Sequence, residues 1–468
     1  MLNNEFQKEQ NALLKNIISP IYGYWQEYGT ACYNNGDTSK FSRGLSLELY
    51  ITPECNQNCE YCYLVKNKDE IYPKEIRDPD TIINNLKILL KYYQNQGFAL
   101  PRIDLFSGEI WGYGLGNRIL NTLLEAINHG LRIDEIVIPS NMSFLANEKT
   151  AQTIQDYIDI FAIENTRIIF SASVDGKMIE EKTRPYVGGE KITLAKKNDD
   201  FYDRLFKFLK LNHYCIHPMV SAASVDNWIE NYDWWWEQYH KYEIEAPWYY
   251  FSMFLEVRNN DWTDEKIIQY LKVVNHMMEK DMKEIYHNEN IEEFYCDKLK
   301  HIDYLVINKD GTKTLKEPTS KNSYIPYDLA SSNTPGCTIN TMLCVRLGDL
   351  SIVPCHRTSY NKFIYGHYQI EDNKIVDLIA ENINLPLYIY TGNFLGAMEC
   401  GTCPNIYCIK GCFGSQYEST GEILYPIHSV CELAYAKTFF LYYKHKEIYE
   451  KYNLKDKVQI GDSLNKRD

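Results

Sequence analysis

Three cysteines in the string Cys55-Asn-Gln-Asn-Cys59-Glu-Tyr61-Cys62 constrain this chain more than any other feature. The run before them, 45–51, alternates apolar and polar residues and predicts a strand. The thiols therefore fall on a loop at a strand's carboxyl end, where α/β barrels place their chemistry. Protein-bound iron–sulfur clusters are usually held by four cysteines. Three on one short loop leave one iron without a protein ligand, a position open to a small molecule. A chance cluster is the alternative, because the chain has 14 cysteines in 468 residues. Such offsets arise by chance in roughly one such chain in a hundred.

From about 45 to 260 the pattern alternates strand and helix. After the cysteine loop, Asp78-Pro79 has the form of a helix N-cap followed by proline at the first helical position. Ile82, Ile83, Leu86, Leu89, Leu90 and Tyr93 then recur at three- and four-residue steps. Further strands are expected near 102–106, 135–139, 167–173, 214–221 and 248–257, with helical spacing at 117–128 and 200–211. With the first strand these make six β/α units. The fold class is therefore α/β, a partial, TIM-like (β/α)6 barrel open on one side. Residues 263–300 read as helices leading away from the barrel, and Asn308-Lys-Asp-Gly311 as a hairpin turn. The stretch 317–335, rich in Ser, Pro and Asn, reads as a loop or linker. A helix is expected over 428–451 and a polar, mobile tail over 453–468.

The C-x3-C-x2-C spacing resembles the signature of the radical S-adenosylmethionine (SAM) enzymes, in which the open iron binds the amino and carboxylate groups of SAM. On that resemblance Cys55, Cys59 and Cys62 hold a [4Fe–4S] cluster, and Tyr61 matches the aromatic that packs near the SAM adenine. Taken alone, a tyrosine there is equally a core residue. At the second strand's end, Phe106-Ser107-Gly108-Glu109-Ile110 resembles the Gly-Gly-Glu-Pro sequence that receives the SAM amino group. Ser107 and Ile110 replace its first glycine and its proline; Gly108 lets backbone carbonyls approach a ligand without Cβ interference. Ser171-Ala-Ser173-Val-Asp175-Gly176 resembles the family's Ser-x-Asp-Gly element. That makes Ser173 the residue for the ribose hydroxyls and Arg184 the one for the SAM carboxylate. A strand-ending turn with a surface ion pair is the plain alternative. Ser140-Asn141, at the third strand's end, fits a polar rim with no role assigned.

A second set of cysteines follows: Cys337, Cys344, Cys355, Cys400, Cys403, Cys408, Cys412 and Cys431. Spacing of this kind also suits structural zinc, which takes four cysteines tetrahedrally. Beside the first motif it resembles the SPASM domain, which holds two auxiliary [4Fe–4S] clusters in many peptide-modifying radical SAM enzymes. The family's interleaved ligation would give Cys337, Cys344, Cys355 and Cys412 to the first auxiliary cluster, and Cys400, Cys403, Cys408 and Cys431 to the second. Two departures are visible. The gap from Cys403 to Cys408 is four residues where the family has five, and the G-x4-C element is stretched between Gly348 and Cys355. The resulting division is an N-terminal extension (1–44), a radical SAM partial barrel (45–262), a helical and loop linker (263–335), a C-terminal SPASM domain (336–435) and a C-terminal helix and tail (436–468).

Cys32, Cys215 and Cys296 remain. Radical epimerases of this family use a thiol as hydrogen-atom donor; a buried inert thiol is the other reading. His356 directly follows Cys355. In the anaerobic sulfatase-maturating relatives an aspartate at that place is the proposed base, and a histidine suits proton transfer near neutrality. A hydrogen bond to a cluster sulfur, or capping of the loop, are the other readings of His356.

The net charge of −14 argues against nonspecific nucleic-acid binding and is compatible with a basic peptide partner. No segment approaches eighteen consecutive apolar residues, and the start has no basic region followed by an apolar stretch. A cytoplasmic, membrane-free protein is expected, in a compartment where fourteen cysteines favour thiolate ligands over disulfides. The resemblance implies SAM and three [4Fe–4S] clusters as cofactors, flavodoxin or ferredoxin as electron donor, and a ribosomally made peptide as substrate, oxidised to a thioether, a C–C crosslink or a related product. Many such enzymes carry an N-terminal leader-binding domain of roughly eighty residues, whereas about 44 residues precede the first barrel strand. So leader binding is reduced, or a separate leader-binding protein supplies it, or the substrate has no leader. The rival readings are sulfatase maturation to formylglycine, radical SAM chemistry on a small molecule, and, outside enzymes, an iron–sulfur electron carrier or a zinc-stabilised interaction protein.

Overall fold

Short parallel strands with apolar residues on one face and polar residues on the other organise most of the chain. The computed structural model describes residues 2–19, 43–187, 197–214, 216–244, 255–288, 305–307, 313–316, 342–386, 412–451 and 458–461. These belong to two compact units, the first built from 1–219, 237–245 and 336–394, the second from 220–236, 246–335 and 395–468. The strands in chain order are β1 (Arg43–Gly44), β2 (Leu47–Tyr50), β3 (Phe98–Phe106), β4 (Ile133–Ser140), β5 (Arg167–Ala172), β6 (Met219–Val220), β7 (Leu255–Glu256), β8 (Leu305–Ile307), β9 (Lys313–Lys316), β10 (Leu343–Arg346), β11 (Ser351–Val353), β12 (Gly366–Glu371), β13 (Lys374–Ala380) and β14 (Val458–Gly461). The helices used below are α1 (Leu2–Ile18), α2 (Tyr63–Ile71), α3 (Pro79–Asn95), α4 (Gly116–Asn128), α5 (Glu148–Ile163), α6 (Glu180–Thr183), α7 (Asp199–Asn212), α8 (Trp228–Tyr242), α9 (Asp264–Asn288), α10 (Phe413–Thr420) and α11 (His428–Lys451).

In the first unit a nine-stranded sheet runs β13-β12-β11-β10-β2-β3-β4-β5, with β1 beside β3. β2 to β5 are parallel, as right-handed β/α units require. Their register sorts the side chains. One row across the sheet reads Leu343, Leu47, Ile103, Ile136, Ile168, each at most 2% exposed. This is the face the helices cover: Ile82, Leu86, Leu89 and Tyr93 of α3 and Ile119, Leu120 and Leu123 of α4 are buried. Each such side chain contributes about 1.5–3 kcal/mol by leaving water. The next row, on the inner face, reads Cys344, Glu48, Asp104, Val137, Ile169. Barrel interiors are usually packed with branched apolar residues. Here Arg102, Glu135, Val137, Ile169 and Ser171 are only half-buried, so the β3–β5 side of the inner face lines an open, polar lumen.

The expected strands at 102–106, 135–139 and 167–173 and the helices at 117–128 and 200–211 are present within a few residues of those limits. Asp78 caps α3, its carboxylate accepting from Thr81 N at 2.8 Å, with Pro79 in the first turn. The sixth strand is shorter than 214–221: Ile216 makes a single parallel bridge to Ala172, and β6 follows at Met219. Of 248–257, only β7 lies within the described residues.

One feature differs from the expected partial barrel followed by an appended cysteine domain. β10, which carries Cys344, pairs in parallel with β2, and β11 to β13 extend the same sheet as antiparallel neighbours. β13 forms the sheet's edge, and α1 shields it. Gln7 Nε2 donates to Ala380 O and Ala380 N donates to Asn11 Oδ1, at 2.9 and 2.8 Å, the covering that an edge strand needs.

In the second unit β8 and β9 pair antiparallel on either side of 308–312; the expected hairpin turn itself lies outside the described residues. β14 joins β9 in parallel, so part of the expected mobile tail is a strand, its Val458 and Ile460 alternating with Gln459. α11 spans the expected 428–451, and α9 occupies the first part of 263–300. Lys437 of α11 ion-pairs with Glu256, which also accepts from Tyr270 Oη at 2.6 Å. Among the described residues no helix is long and apolar enough to cross a membrane.

Candidate active site on the cysteine loop

Residues 52–62 leave β2 and are clamped from three sides, all within the first unit. From below, Gly108 N donates to Thr52 O and Glu109 N to Glu54 O, both at 2.8 Å. The loop passes so close that a Cβ on Gly108 would lie 2.2 Å from Glu54 O. The glycine therefore serves contact with the cysteine loop's own backbone, in addition to any ligand. From β4, Asn141 Nδ2 donates to Asn56 Oδ1 at 2.7 Å and lies 3.9 Å from Cys55 Sγ, while Asn56 Nδ2 donates to Ser143 Oγ at 2.9 Å. From the far side, the segment after α6 runs antiparallel to the loop: Val187 N donates to Asn56 O, Asn58 N to Pro185 O and Glu60 N to Thr183 O, at 2.7–3.0 Å. This ladder places Arg184 against the cysteines.

Asp175 is the hub on that side. It is wholly buried and accepts from Tyr61 Oη at 2.6 Å, from Thr183 Oγ1 at 2.7 Å and from Met219 N at 2.9 Å. Arg184 Nε lies 3.0 Å from its Oδ1, without the angle of a hydrogen bond, and the guanidinium carbon sits 5.4 Å from the centre of the Tyr61 ring. Glu180 Oε2 accepts from Asp175 N at 2.7 Å. Ser173 is half-buried at the end of β5, its N donating to Ser140 O at 2.8 Å.

Burial pushes the Cys55 thiol up to about 12 and raises those of Cys59 and Cys62; in all three the Arg184 guanidinium opposes the rise. Cys62 adds to the rise at Cys55, and Cys62 and Cys55 add to that at Cys59. Among the described residues no three His, Cys, Asp or Glu side chains converge as ligands of one ion. A tetrahedral zinc holds each thiolate about 2.3 Å from a single centre. A cluster binds each to a different iron, so its ligands stand farther apart. Three thiols on one loop, Cys59 buried and Cys55 and Cys62 half-buried, an adjacent guanidinium and a buried Ser107 Oγ with no hydrogen-bond partner among the described residues together suit a cluster carrying a polar ligand.

Glu109 is wholly buried beside this loop. Burial raises its carboxyl to about 7, against hydrogen bonds from Asn141 N at 2.8 Å and Ser140 Oγ at 2.9 Å to one oxygen. Among the described residues its other oxygen takes only Trp111 N, at 3.4 Å. A cation arriving there would restore the ionised form.

The second cysteine region meets the first through the sheet. Cys344, buried on β10, faces Glu48 of β2 in register, and both Cys355 and Glu48 raise its thiol further after burial. Cys355 Sγ lies 3.2 Å from Thr358 Oγ1. The next residue, His356, stacks on Phe106 at 3.6 Å and 8° and contacts Glu48 Oε1 twice, through its backbone N at 2.6 Å and Nδ1 at 3.0 Å. His356 thus stands against the strand end that carries Ser107, Gly108 and Glu109. Cys412 precedes α10 and Cys431 is exposed on α11, both in the second unit. Cys337, Cys400, Cys403 and Cys408 lie outside the described residues, as do Cys32, Cys215 and Cys296.

Sequence reasoning gave no role to Asn141, Asp175 or Glu48. Asn141 and Asp175 follow strand ends and Glu48 alternates with Leu47 and Leu49 inside β2, signals that an ordinary polar rim gives as well.

No family model matches the chain, and no curated protein matches it. Among solved structures it is similar to native anSMEcpe, an anaerobic sulfatase-maturating enzyme, with bound AdoMet. The TM-score is 0.50 at 15% sequence identity, covering 87% of this chain and 100% of that one. The chain therefore shares the α/β fold of that structure.

Proposed function

We propose that this chain is a radical SAM enzyme that oxidatively modifies a peptide or protein side chain. The observation that carries the reading is the three-sided clamp on Cys55, Cys59 and Cys62, with Glu109 and Arg184 buried on either side of it. Cys55, Cys59 and Cys62 would hold a [4Fe–4S] cluster, which with SAM would supply the chemistry for removing a hydrogen atom from an unactivated C–H bond. Glu109 takes the SAM ammonium, Arg184 its carboxylate and Ser173 the ribose, while Tyr61, anchored on Asp175, closes the loop beside the adenine. His356, oriented by Glu48, accepts a substrate proton at Nε2. Residues 336–435 would form a SPASM region in which Cys337, Cys344, Cys355 and Cys412, and Cys400, Cys403, Cys408 and Cys431, would hold two auxiliary clusters able to take up the electron left on the substrate after the hydrogen atom and the proton have gone. Flavodoxin or ferredoxin supplies the electron in the cytoplasm, and a separate protein presents the peptide where it carries a leader.

Sulfatase maturation is the second reading, favoured by the similarity to anSMEcpe. Both are tested by incubating the reconstituted protein with SAM, dithionite and either the peptide encoded beside its gene or a sulfatase-derived peptide. Loss of two hydrogens from the former, with fragments showing a new internal bond, supports peptide crosslinking. A hydrazide-reactive aldehyde on the latter supports formylglycine formation. Deoxyadenosine production with every peptide unchanged overturns the peptide reading in favour of a small-molecule substrate.

A further inference from the structure

Ser171, on the inner face of β5, has its Oγ 2.5 Å from His217 Nδ1. His217 is fixed at the backbone by donating from its N to Ala172 O at 2.7 Å, next to the Ile216–Ala172 bridge. The imidazole is exposed, yet desolvation lowers its pKa. The ring is therefore neutral near pH 7. With Nδ1 engaged by Ser171, Nε2 has no partner among the described residues.

The position on the sheet is also informative. Ser171 is in register with Pro139 of β4. Two residues beyond the Asp104–Val137 pair, Pro139 stands level with Phe106, the residue on which His356 stacks. Ser171 and His217 thus lie on the lumen face at the carboxyl end of the strands, where α/β barrels meet their substrates. Their neighbours on this face, Val137 and Ile169, are half-exposed and apolar. With Arg102 and Glu135 on the same face, the surface mixes apolar and polar groups, and an oriented imidazole on it can fix a ligand.

We propose that His217, its ring oriented by Ser171, is a substrate-binding residue that hydrogen-bonds through Nε2 to an amide group flanking the reacting carbon of a peptide. This rests on the peptide-modifying reading above. Ser171 is a positioning residue, acting only through the imidazole.

The test measures binding of a fluorescein-labelled copy of the peptide encoded beside the gene to the full-length, reconstituted protein, apart from turnover. His217→Ala weakens binding about tenfold, the worth of one hydrogen bond to a partner otherwise left bare. His217→Gln, whose amide reaches the Nε2 position, restores most of that loss, and His217→Asn does not. Ser171→Ala weakens binding by less, and Ser171→Thr, which keeps the hydroxyl, binds as wild type does. In parallel, the peptide protects His217 from carbethoxylation by diethyl pyrocarbonate, and leaves the exposed His213 unprotected. Equal affinity of wild type and His217→Ala, or modification of His217 at the same rate with and without bound peptide, overturns the proposal. Absence of deoxyadenosine from the wild type is a separate outcome; it counts against the radical reading and leaves the binding measurement standing.

Discussion

Replacing Gly108 by alanine tests the cysteine-loop clamp most sharply. The backbone angles at Gly108 are ones that alanine adopts, so no conformational penalty arises. The cost is collision alone. The added Cβ would meet Glu54 O at 2.2 Å, Glu54 C at 2.6 Å and Pro53 O at 2.8 Å, where ordinary contact begins at 3.4 Å. All three atoms are backbone and cannot rotate aside. The loop must retreat by about 1.2 Å, the difference between 3.4 and 2.2 Å. That retreat strains the two hydrogen bonds from Gly108 N and Glu109 N, worth about 1 kcal/mol each. A loss of about 2 kcal/mol leaves a folded protein with a lower melting temperature. Displacement of that size at a reacting centre costs about a hundredfold in rate. Circular dichroism should therefore show a native spectrum with a modest fall in melting temperature, while iron retention drops and SAM cleavage falls about a hundredfold. A Gly108→Ala protein with wild-type melting, iron and cleavage would refute the close approach as a constraint on the site.

Glu109 predicts a pH dependence in the metal-free protein. Its carboxyl titrates at about 7 when folded against 4.5 as a free group. The unfolded chain therefore loses this proton first, and stability falls as pH rises from about 4.5 to about 7, by up to about 3 kcal/mol. Urea titrations at pH 5 and pH 8 should show that fall, and Glu109→Gln should remove this share of it; an unchanged slope counts against the buried carboxyl. Tyr61→Phe deletes the 2.6 Å bond to Asp175 and should cost about 2 kcal/mol with partial loss of bound iron, read by denaturation and iron analysis. Lys437→Met strands Glu256, whose carboxyl burial would raise but which Lys437 and Tyr270 hold down at about 2. The variant should lose about 3 kcal/mol at pH 7, a difference that narrows as pH falls from 4.5 toward 2. Equal stability at pH 7 would count against the pair.

Local signals carried far in this sequence. The Asp78-Pro79 cap, the apolar stripe of α3 and the limits of α11 are decided within one helix, and the structure has them where the pattern puts them. The cysteine loop follows a strand, as the alternation before it implies. Long-range pairing was not legible. β2 and β10 are four residues each and pair across nearly three hundred positions, with nothing in either segment to name the other. Glu48 and Asp104 are polar residues alternating with apolar ones in short strands, the pattern of a solvated face, yet they are 1% and 3% exposed. The segment around Cys344 to Phe363 covers them, and its strand β10 joins the sheet beside β2. At Gly108 the missing Cβ also admits the chain's own cysteine loop, in addition to any ligand, and no local pattern announces that approach. Asp175 belonged to a recognised turn, but its role depends on Tyr61, Thr183, Arg184 and Met219 arriving from separate segments.

The most direct test of the central claim is iron and acid-labile sulfide content, with 5′-deoxyadenosine production, on protein reconstituted anaerobically and given SAM and dithionite. A Cys55/Cys59/Cys62→Ala triple variant is measured beside it. Three [4Fe–4S] clusters with radical chemistry at the first should give about twelve irons per chain, falling to about eight in a variant that makes no deoxyadenosine. Zinc without iron, or iron that the triple variant keeps in full while the wild type leaves SAM uncleaved, would contradict it.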